Sequence, residues 1–282
     1  MLKIGQTNRL SVSHFADAGV YLDGGRYGDI LLPRRYLPQQ YRTEAALEQA
    51  DELEVFIYLD SEDRLIATTE RPFLQVGECA YLKAVDNTRH GAFFDWGLSK
   101  DLLVPYNEQE RPIEVGKFYV VHAFLDERTE SIVGTTRLAQ HLNELSYYFK
   151  QGQAVDLLIY AQDALGYRAV INQTHLGLLY KSEVFQTLRI GEQLPAYIQQ
   201  IRPDRKIDLT LRKPGVVVED ALAQHILAHL KQRGGSSNFT DKTPAEQIYA
   251  EFKVSKAHFK RALGLLYKQK VIQLNPDKTT LL

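Results

Sequence analysis

His225 and His229 stand four residues apart, the spacing that puts two imidazoles on one helix face and the nearest approach in this 282-residue chain to a metal pair. They lack the glutamate of an H-E-x-x-H motif and any nearby third ligand, so a solvated or packed helix face is expected. The acidic run Asp60-Ser61-Glu62-Asp63 lacks the twelve-residue ligand pattern of a calcium loop and reads as a turn between two strands. Gly24-Gly25 reads as a hairpin turn rather than a phosphate cradle. Cys79 is the one cysteine; it cannot form an internal disulfide, and its apolar surroundings point to a small core residue. There is no Walker loop, dinucleotide fingerprint, nucleophile elbow or zinc-type cysteine pair. The expectation is a chain that is not an enzyme and carries neither metal nor cofactor.

The remaining chemistry is that of cations and exposed rings. The 34 basic and 35 acidic side chains cancel to −1, which excludes a uniformly basic nucleic-acid protein. The charges are unevenly placed, however. Residues 1–73 hold eight basic and twelve acidic groups and 74–146 seven and eleven; 147–214 hold nine and six, and 215–282 ten and six. A polyanion is therefore drawn to the C-terminal half and repelled by most of the N-terminal half. Lys256, Lys260, Arg261 and Lys268 fall on the solvent side of one helix-spaced segment, with Lys253 just before it; spacing by multiples of four predicts one shared face for Lys256, Lys260 and Lys268. Lysines act as point charges that position a phosphate backbone without reading its sequence.

The elements that position these groups repeat along the chain. Ile4-Gly5-Gln6, Val76-Gly77-Glu78 and Gln151-Gly152-Gln153 each open a similar series of runs. A turn glycine and an alternating strand follow, at residues 19–23, 91–97 and 166–172, and then an apolar stretch at 29–33, 101–105 and 176–180. Further strands at 55–60, 118–126 and 194–201 lead through short turns to final strands at 64–69, 131–136 and 206–211. Five short strands of β-branched and aromatic residues suit a small closed barrel, since closure removes both sheet edges. Alternation places Ala92, Phe94 and Trp96 on a core face and leaves Phe93 pointing outward beside His90, as it does Tyr21 and Arg168 in the other copies. An outward ring is a stacking platform for a base unless a loop or a neighbouring barrel covers it. Leu138, Leu142, Leu145 and Phe149 have helical spacing and predict a short helix bracing the second barrel against the third.

After Pro214-Gly215 the period changes from two to 3.6 residues. One helix is predicted from Val217 to Arg233 with Leu222, Ile226 and Leu230 on its apolar stripe. A second opens on the capping box Thr243-Pro244-Ala245-Glu246 and aligns Ala245, Ile248, Tyr249 and Phe252. A third, capped by Ser255, buries Phe259, Ala262, Leu263, Leu266 and Tyr267, and a hairpin over 270–282 completes a winged helix. The fold class is mainly β with a C-terminal α+β module: three tandem five-stranded barrels at 1–73, 74–146 and 147–214, and a winged helix at 215–282.

Gly91-Ala92-Phe93-Phe94-Asp95-Trp96-Gly97, followed by Leu102-Leu103-Val104-Pro105 and Asp126, resembles the ribosomal-protein S-one type RNA-binding domain, a five-stranded OB barrel. The likeness covers about three quarters of the chain in three copies, the middle one the most specific. With the winged helix, the order of modules is similar to that of the conserved virulence factor B family of bacterial RNA-binding regulators. That resemblance implies RNA across the face of the second and third strands. In the first copy it assigns Tyr21, Asp60 and Arg64, with Ala18 where an aromatic is usual; in the second His90, Phe93 and Asp126, with Glu130 where arginine is usual. In the third copy it assigns Arg168 and Tyr180 at aromatic positions, with Arg202 in place of the aspartate and Lys206 in place of the arginine; Arg205 lies in the same turn.

The expected function is low-specificity binding of single-stranded RNA and post-transcriptional regulation of the virulence-factor type. The alternatives are a DNA-binding transcription factor acting through the third C-terminal helix, and a scaffold docking ribosomal or RNA-processing proteins. No arginine, asparagine or glutamine is clearly placed on that helix to read base edges. The start Met1-Leu2-Lys3-Ile4-Gly5-Gln6 carries no signal-peptide pattern, and no apolar run approaches the ~20 residues of a membrane-spanning helix, so the chain reads as a cytoplasmic monomer.

Overall fold

A glycine of positive φ opens the second long run of each repeat: Gly19 at 155°, Gly91 at 145° and Gly166 at 158°. Each lies so close to the next strand that a Cβ would fall 2.1, 2.3 and 2.2 Å from the carbonyl oxygens of Leu32, Val104 and Leu179 respectively. Only glycine fits both the conformation and the contact, so three positions in three copies obey one steric rule.

The computed structural model describes residues 2–41, 52–181, 184, 187–212, 218–252 and 254–282. Pro214-Gly215, Val217 and Lys253 lie outside the described residues. In the first module β1 (Thr7–Leu10) and β2 (Val12–Ala16) are halves of one strand broken at Ser11; β3 (Gly19–Asp23), β4 (Asp29–Pro33), β5 (Leu53–Leu59) and β6 (Leu65–Thr68) follow. The sheet order is β1-β5-β6-β4-β3-β2, so the two ends of the sheet are consecutive in the chain. The second module comprises β7 (Cys79–Thr88), β8 (Gly91–Asp95), β9 (Leu102–Pro105), β10 (Phe118–Asp126) and β11 (Ser131–Thr135), in the order β11-β10-β7-β8-β9. The third comprises β12 (Ala154–Gln162), β13 (Gly166–Ile171), β14 (His175–Tyr180), β15 (Gln193–Ile201) and β16 (Ile207–Thr210).

The ladder closes fully in the third module, where β14 pairs in parallel with β16. The first makes the equivalent parallel contact between Leu31 and Ile66. The second is an open five-stranded sheet with β9 and β11 at its edges, rather than a barrel closed by hydrogen bonds. Ala92, Phe94 and Trp96 are buried while Phe93 is half-exposed, as the alternation requires.

The first, third and last modules each enclose a buried cluster of their own, and two further clusters run between neighbours. Phe56, Tyr58 and Ile66 of the first belong to the same buried cluster as Leu82, Phe94 and Trp96 of the second. The Phe56 and Trp96 rings meet edge-on with centroids 5.7 Å apart. Ser99 is hydrogen-bonded to the Tyr36 and Tyr58 hydroxyls, and the Lys100 ammonium donates to the Asp60 carbonyl oxygen at 2.6 Å. Cys79 and Val120 are likewise buried with Leu158, Val170 and Leu176 of the third module, and Leu138 and Leu142 lie between.

The bracing segment forms a single turn, α1 (Leu138–His141), and not the longer helix its spacing predicts. The Asn143 amide donates to the Thr174 carbonyl, and the Leu176 amide donates to that of Asn143. This pairing with the third module takes the backbone groups that a continued helix needs, so tertiary contact overrides propensity. Leu138, Leu142 and Phe149 are buried as expected, whereas Leu145 is exposed.

The last module holds α2 (Val218–Gln232), β17 (Ser236–Ser237), α3 (Ala245–Phe252), α4 (Lys256–Lys268), β18 (Ile272–Leu274) and β19 (Thr279–Leu281). Its sheet order is β17-β19-β18, adding a strand to the expected hairpin. Ser255 caps α4 by accepting the His258 amide. The Thr243 hydroxyl accepts the Thr240 amide, which engages it with the loop before α3. Tyr267, expected inside, is 56% exposed, and Ala245 and Tyr249, aligned by spacing with buried Ile248 and Phe252, are exposed as well. Tyr267 stands in the last turn of α4, about 100° round from buried Leu266. His229 is buried and bonded to Ser237 and Glu251, whereas His225 is exposed. Among the described residues no cluster of histidine, cysteine or carboxylate groups is placed to hold a metal, and no helix is long and apolar enough to cross a membrane.

Two outcomes follow from the shared interiors. Phe56→Ala empties a site common to two modules and should cost about 3–5 kcal/mol in denaturant unfolding. The loss should appear as one cooperative transition for both modules. Burial, with His141 adding repulsion, lowers the His122 imidazole from 6.5 to about 4. Below pH 6.5 the unfolded chain takes up this proton first, so stability is full above 6.5 and falls toward pH 4, by roughly 3 kcal/mol. His175 and His229 are lowered in the same direction, so urea unfolding of His122→Gln across this window should show a reduced but nonzero slope.

Candidate nucleic-acid interface

In β13 Tyr167 and Ala169 face the core, and Arg168 between them faces outward. Its guanidinium is held by the Asp163 carboxylate at 2.8 Å, and that carboxylate also accepts the Leu165 and Gly166 amides. The Arg168 bond holds the Asp163 carboxyl below its usual range. Across the face, the turn between β15 and β16 is closed by the Arg202 amide on the Lys206 carbonyl. Arg202 reaches Asp204 at 3.2 Å, and its Nε stands 3.8 Å from the buried Asp208. The Lys206 ammonium lies 3.8 Å from Glu144.

Arg168 of β13 and, from the one turn between β15 and β16, Arg202 and Lys206 therefore line one open cavity of about 180 Å³, with Tyr160, Asp208 and residues 176–178 of β14. Two other expected residues do not line it. Arg205, at φ 67°, turns its guanidinium over the Tyr147 ring at 5.4 Å. Tyr180 ends β14 opposite Gly166 and is half-buried. Tyr160, Glu144 and Arg168 also line a second cleft, of about 540 Å³, between the second and third modules.

In the first module Tyr21 is half-buried beneath a neighbour that its sequence position does not reveal: the His14 ring stacks on it, centroids 4.6 Å apart and 8° from parallel. The pair exists because His14 and Tyr21 are register partners beside a bulge. Arg64 forks onto Asp60 at 2.9 and 3.0 Å and touches Glu62 at 2.8 Å. Burial raises the Asp60 carboxyl, but bonds from the Arg64 backbone and side chain outweigh it and hold the group below its usual range. In the second module Phe93 is half-exposed and His90 is exposed, its ring accepting the Arg89 Nε–H at 3.0 Å.

On the winged helix Lys260, Arg261 and Lys268 are exposed. Lys256 is half-buried and donates to the Lys242 carbonyl oxygen at 3.2 Å. Twelve residues separate Lys256 from Lys268, which at about 100° each turns Lys268 roughly a third of the way round the helix. The cations thus spread over a broad face rather than a single line. At the base of α4, His258 and Arg212 are 3.1 Å apart, linking the exit of the third module to the helix.

The model of the S1 domain matches residues 4–70, and that of the CvfB-like winged helix domain matches residues 224–281. Uncharacterized protein YitL of Bacillus subtilis (strain 168) is 30% identical over 97% of this chain and 92% of its own length. Conserved virulence factor B of Staphylococcus saprophyticus is 26% identical over 84% of this chain and 82% of its own. A crystal structure of a multidomain protein with nucleic acid binding domains from Streptococcus pneumoniae TIGR4 is 23% identical, with 99% of this chain and 98% of that one covered at a TM-score of 0.41.

Proposed function

The chain belongs to the conserved virulence factor B family, and on that premise we propose that it binds single-stranded RNA with low sequence specificity and regulates gene expression after transcription. The observation that carries this reading is the convergence of Arg168, Arg202 and Lys206 on one open cavity. That cavity lies on the β13–β14 face, where the S-one resemblance puts RNA. An S1 domain and a winged helix in one chain support nucleic-acid binding in the same direction. Low specificity accords with the lysines on α4, which position a phosphate backbone without reading its sequence. In this reading the protein is a cytoplasmic monomer that uses no cofactor and catalyses no reaction. Several weak modules gain avidity because the later contacts form at high effective concentration.

Fluorescence anisotropy with labelled single-stranded RNA, single-stranded DNA and duplex DNA at several salt concentrations tests the proposal. RNA should bind most tightly, with log affinity falling linearly against log salt. Equal or tighter binding of duplex DNA would overturn it. Lys260→Glu combined with Lys268→Glu should weaken all RNA sequences alike, by roughly tenfold at moderate salt. Asp163→Asn keeps an oxygen for the turn amides while releasing the Arg168 charge; RNA affinity should rise about 2- to 5-fold at low salt, and this gain should vanish as salt screens it.

A further inference from the structure

The cleft beside the third module's cavity is walled by rings that pack only partly. Tyr81 of β7 and Phe118 of β10 lie on neighbouring strands, Val120 being the register partner of Tyr81 and Lys83 that of Phe118. Their ring centroids are 5.3 Å apart with planes 32° from parallel, yet Tyr81 is 39% and Phe118 48% exposed. The Tyr81 ring lies against Gly191 of the third module, where a Cβ would fall 2.2 Å from a ring carbon. It is thereby fixed between the modules, and Phe118 beside it keeps more open surface.

Tyr160 and Arg168 also line this cleft, and both continue into the third module's cavity. Arg111 lines it too; its guanidinium stands 5.6 Å over the Tyr119 ring, and it makes no ion pair among the described residues. Glu110 and Glu144 are the carboxylates of the lining. The volume, about 540 Å³, falls within the ~300–1,000 Å³ of small-ligand sites. A flat apolar face, a cation without a carboxylate partner and carboxylates able to accept an N–H or O–H together match a nucleotide: base, phosphate, and sugar hydroxyl or base amine.

We propose that this cleft takes one or two nucleotides of the strand that crosses the third module's cavity, with a base on Phe118 and the phosphate between Arg111 and Arg168. The inference rests on the reading of the chain as a binder of single-stranded RNA and adds a site made jointly by two modules. Each stacked base contributes ~1–3 kcal/mol, so Phe118→Ala should weaken a twelve-nucleotide oligouridylate by about 5- to 150-fold. Arg111→Glu should also weaken it, and Arg111→Lys should restore most of the loss.

The test uses the full chain. Anisotropy titrations of the three variants are paired with photocrosslinking of the unaltered protein to the same oligonucleotide carrying 5-iodouridine, and the crosslinked peptides are mapped. A crosslink at Tyr81 or Phe118, together with weakened binding by Phe118→Ala at an unchanged melting temperature, supports the cleft. Wild-type affinity in Phe118→Ala and Arg111→Glu, with crosslinks confined to the third module's face, overturns the cleft and leaves RNA binding standing. Absence of RNA binding by the unaltered chain overturns both.

Discussion

Apolar surface shared between neighbouring modules is the constraint on which this architecture depends. A β unit of about 70 residues has little interior of its own and is marginal alone. Here Phe56, Tyr58 and Ile66 complete the interior of the second module, and Leu138 and Leu142 close the seam between Cys79 and Val120 on one side and Leu158, Val170 and Leu176 on the other. Those seams do more than stabilise. They fix the second and third modules relative to each other, so the cavity on β13 and β14 and the neighbouring cleft exist before any ligand arrives. A ligand that meets a preformed surface forgoes less binding energy to ordering.

The electrostatics are set within that frame. Arg64, Arg168 and Arg202 each lie against a carboxylate, at 2.9, 2.8 and 3.2 Å, and so a net charge of −1 coexists with local concentrations of guanidinium groups. Exposed ion pairs of this kind contribute little to stability, so exchanging the carboxylate for a phosphate costs little. The last turns of the three modules share one left-handed residue, although the second turn is a residue longer. Asp63, Glu130 and Arg205 hold the left-handed position of the last turn in their modules, at φ 57°, 51° and 67°, so Ser131 and not, as expected, Glu130 stands level with Arg64 and Lys206. At the left-handed position the third copy carries a basic side chain where the other two carry acidic ones.

The parts legible from sequence are those governed by local rules. The glycines at 19, 91 and 166 announced the repeat because each answers to one steric condition. The alternation around Phe93 placed its neighbours correctly because pleating has period two. Spacing misled where long-range pairing intervened. Asn143 bonds to the third module and ends a helix that Leu145 and Phe149 would extend, and Tyr267 keeps helical spacing but faces solvent in the same turn as buried Leu266. The aromatic neighbours went unseen for a similar reason: His14 meets Tyr21 only through a bulged register, and Tyr81 meets Phe118 only across two strands 37 positions apart in sequence.

Sequence alone determined the order of modules, most strands within one or two residues, the three C-terminal helices and the drift of charge from acidic to basic. Glycine conformation, side-chain alternation and helix periodicity are properties of neighbouring residues, and neighbours in sequence are visible without a fold. Tertiary structure decided which cations share a cavity, which are neutralised by carboxylates, and that two modules form a cleft between them. Those outcomes depend on distances between residues far apart in the chain, and only the packing of one apolar face on another sets such distances.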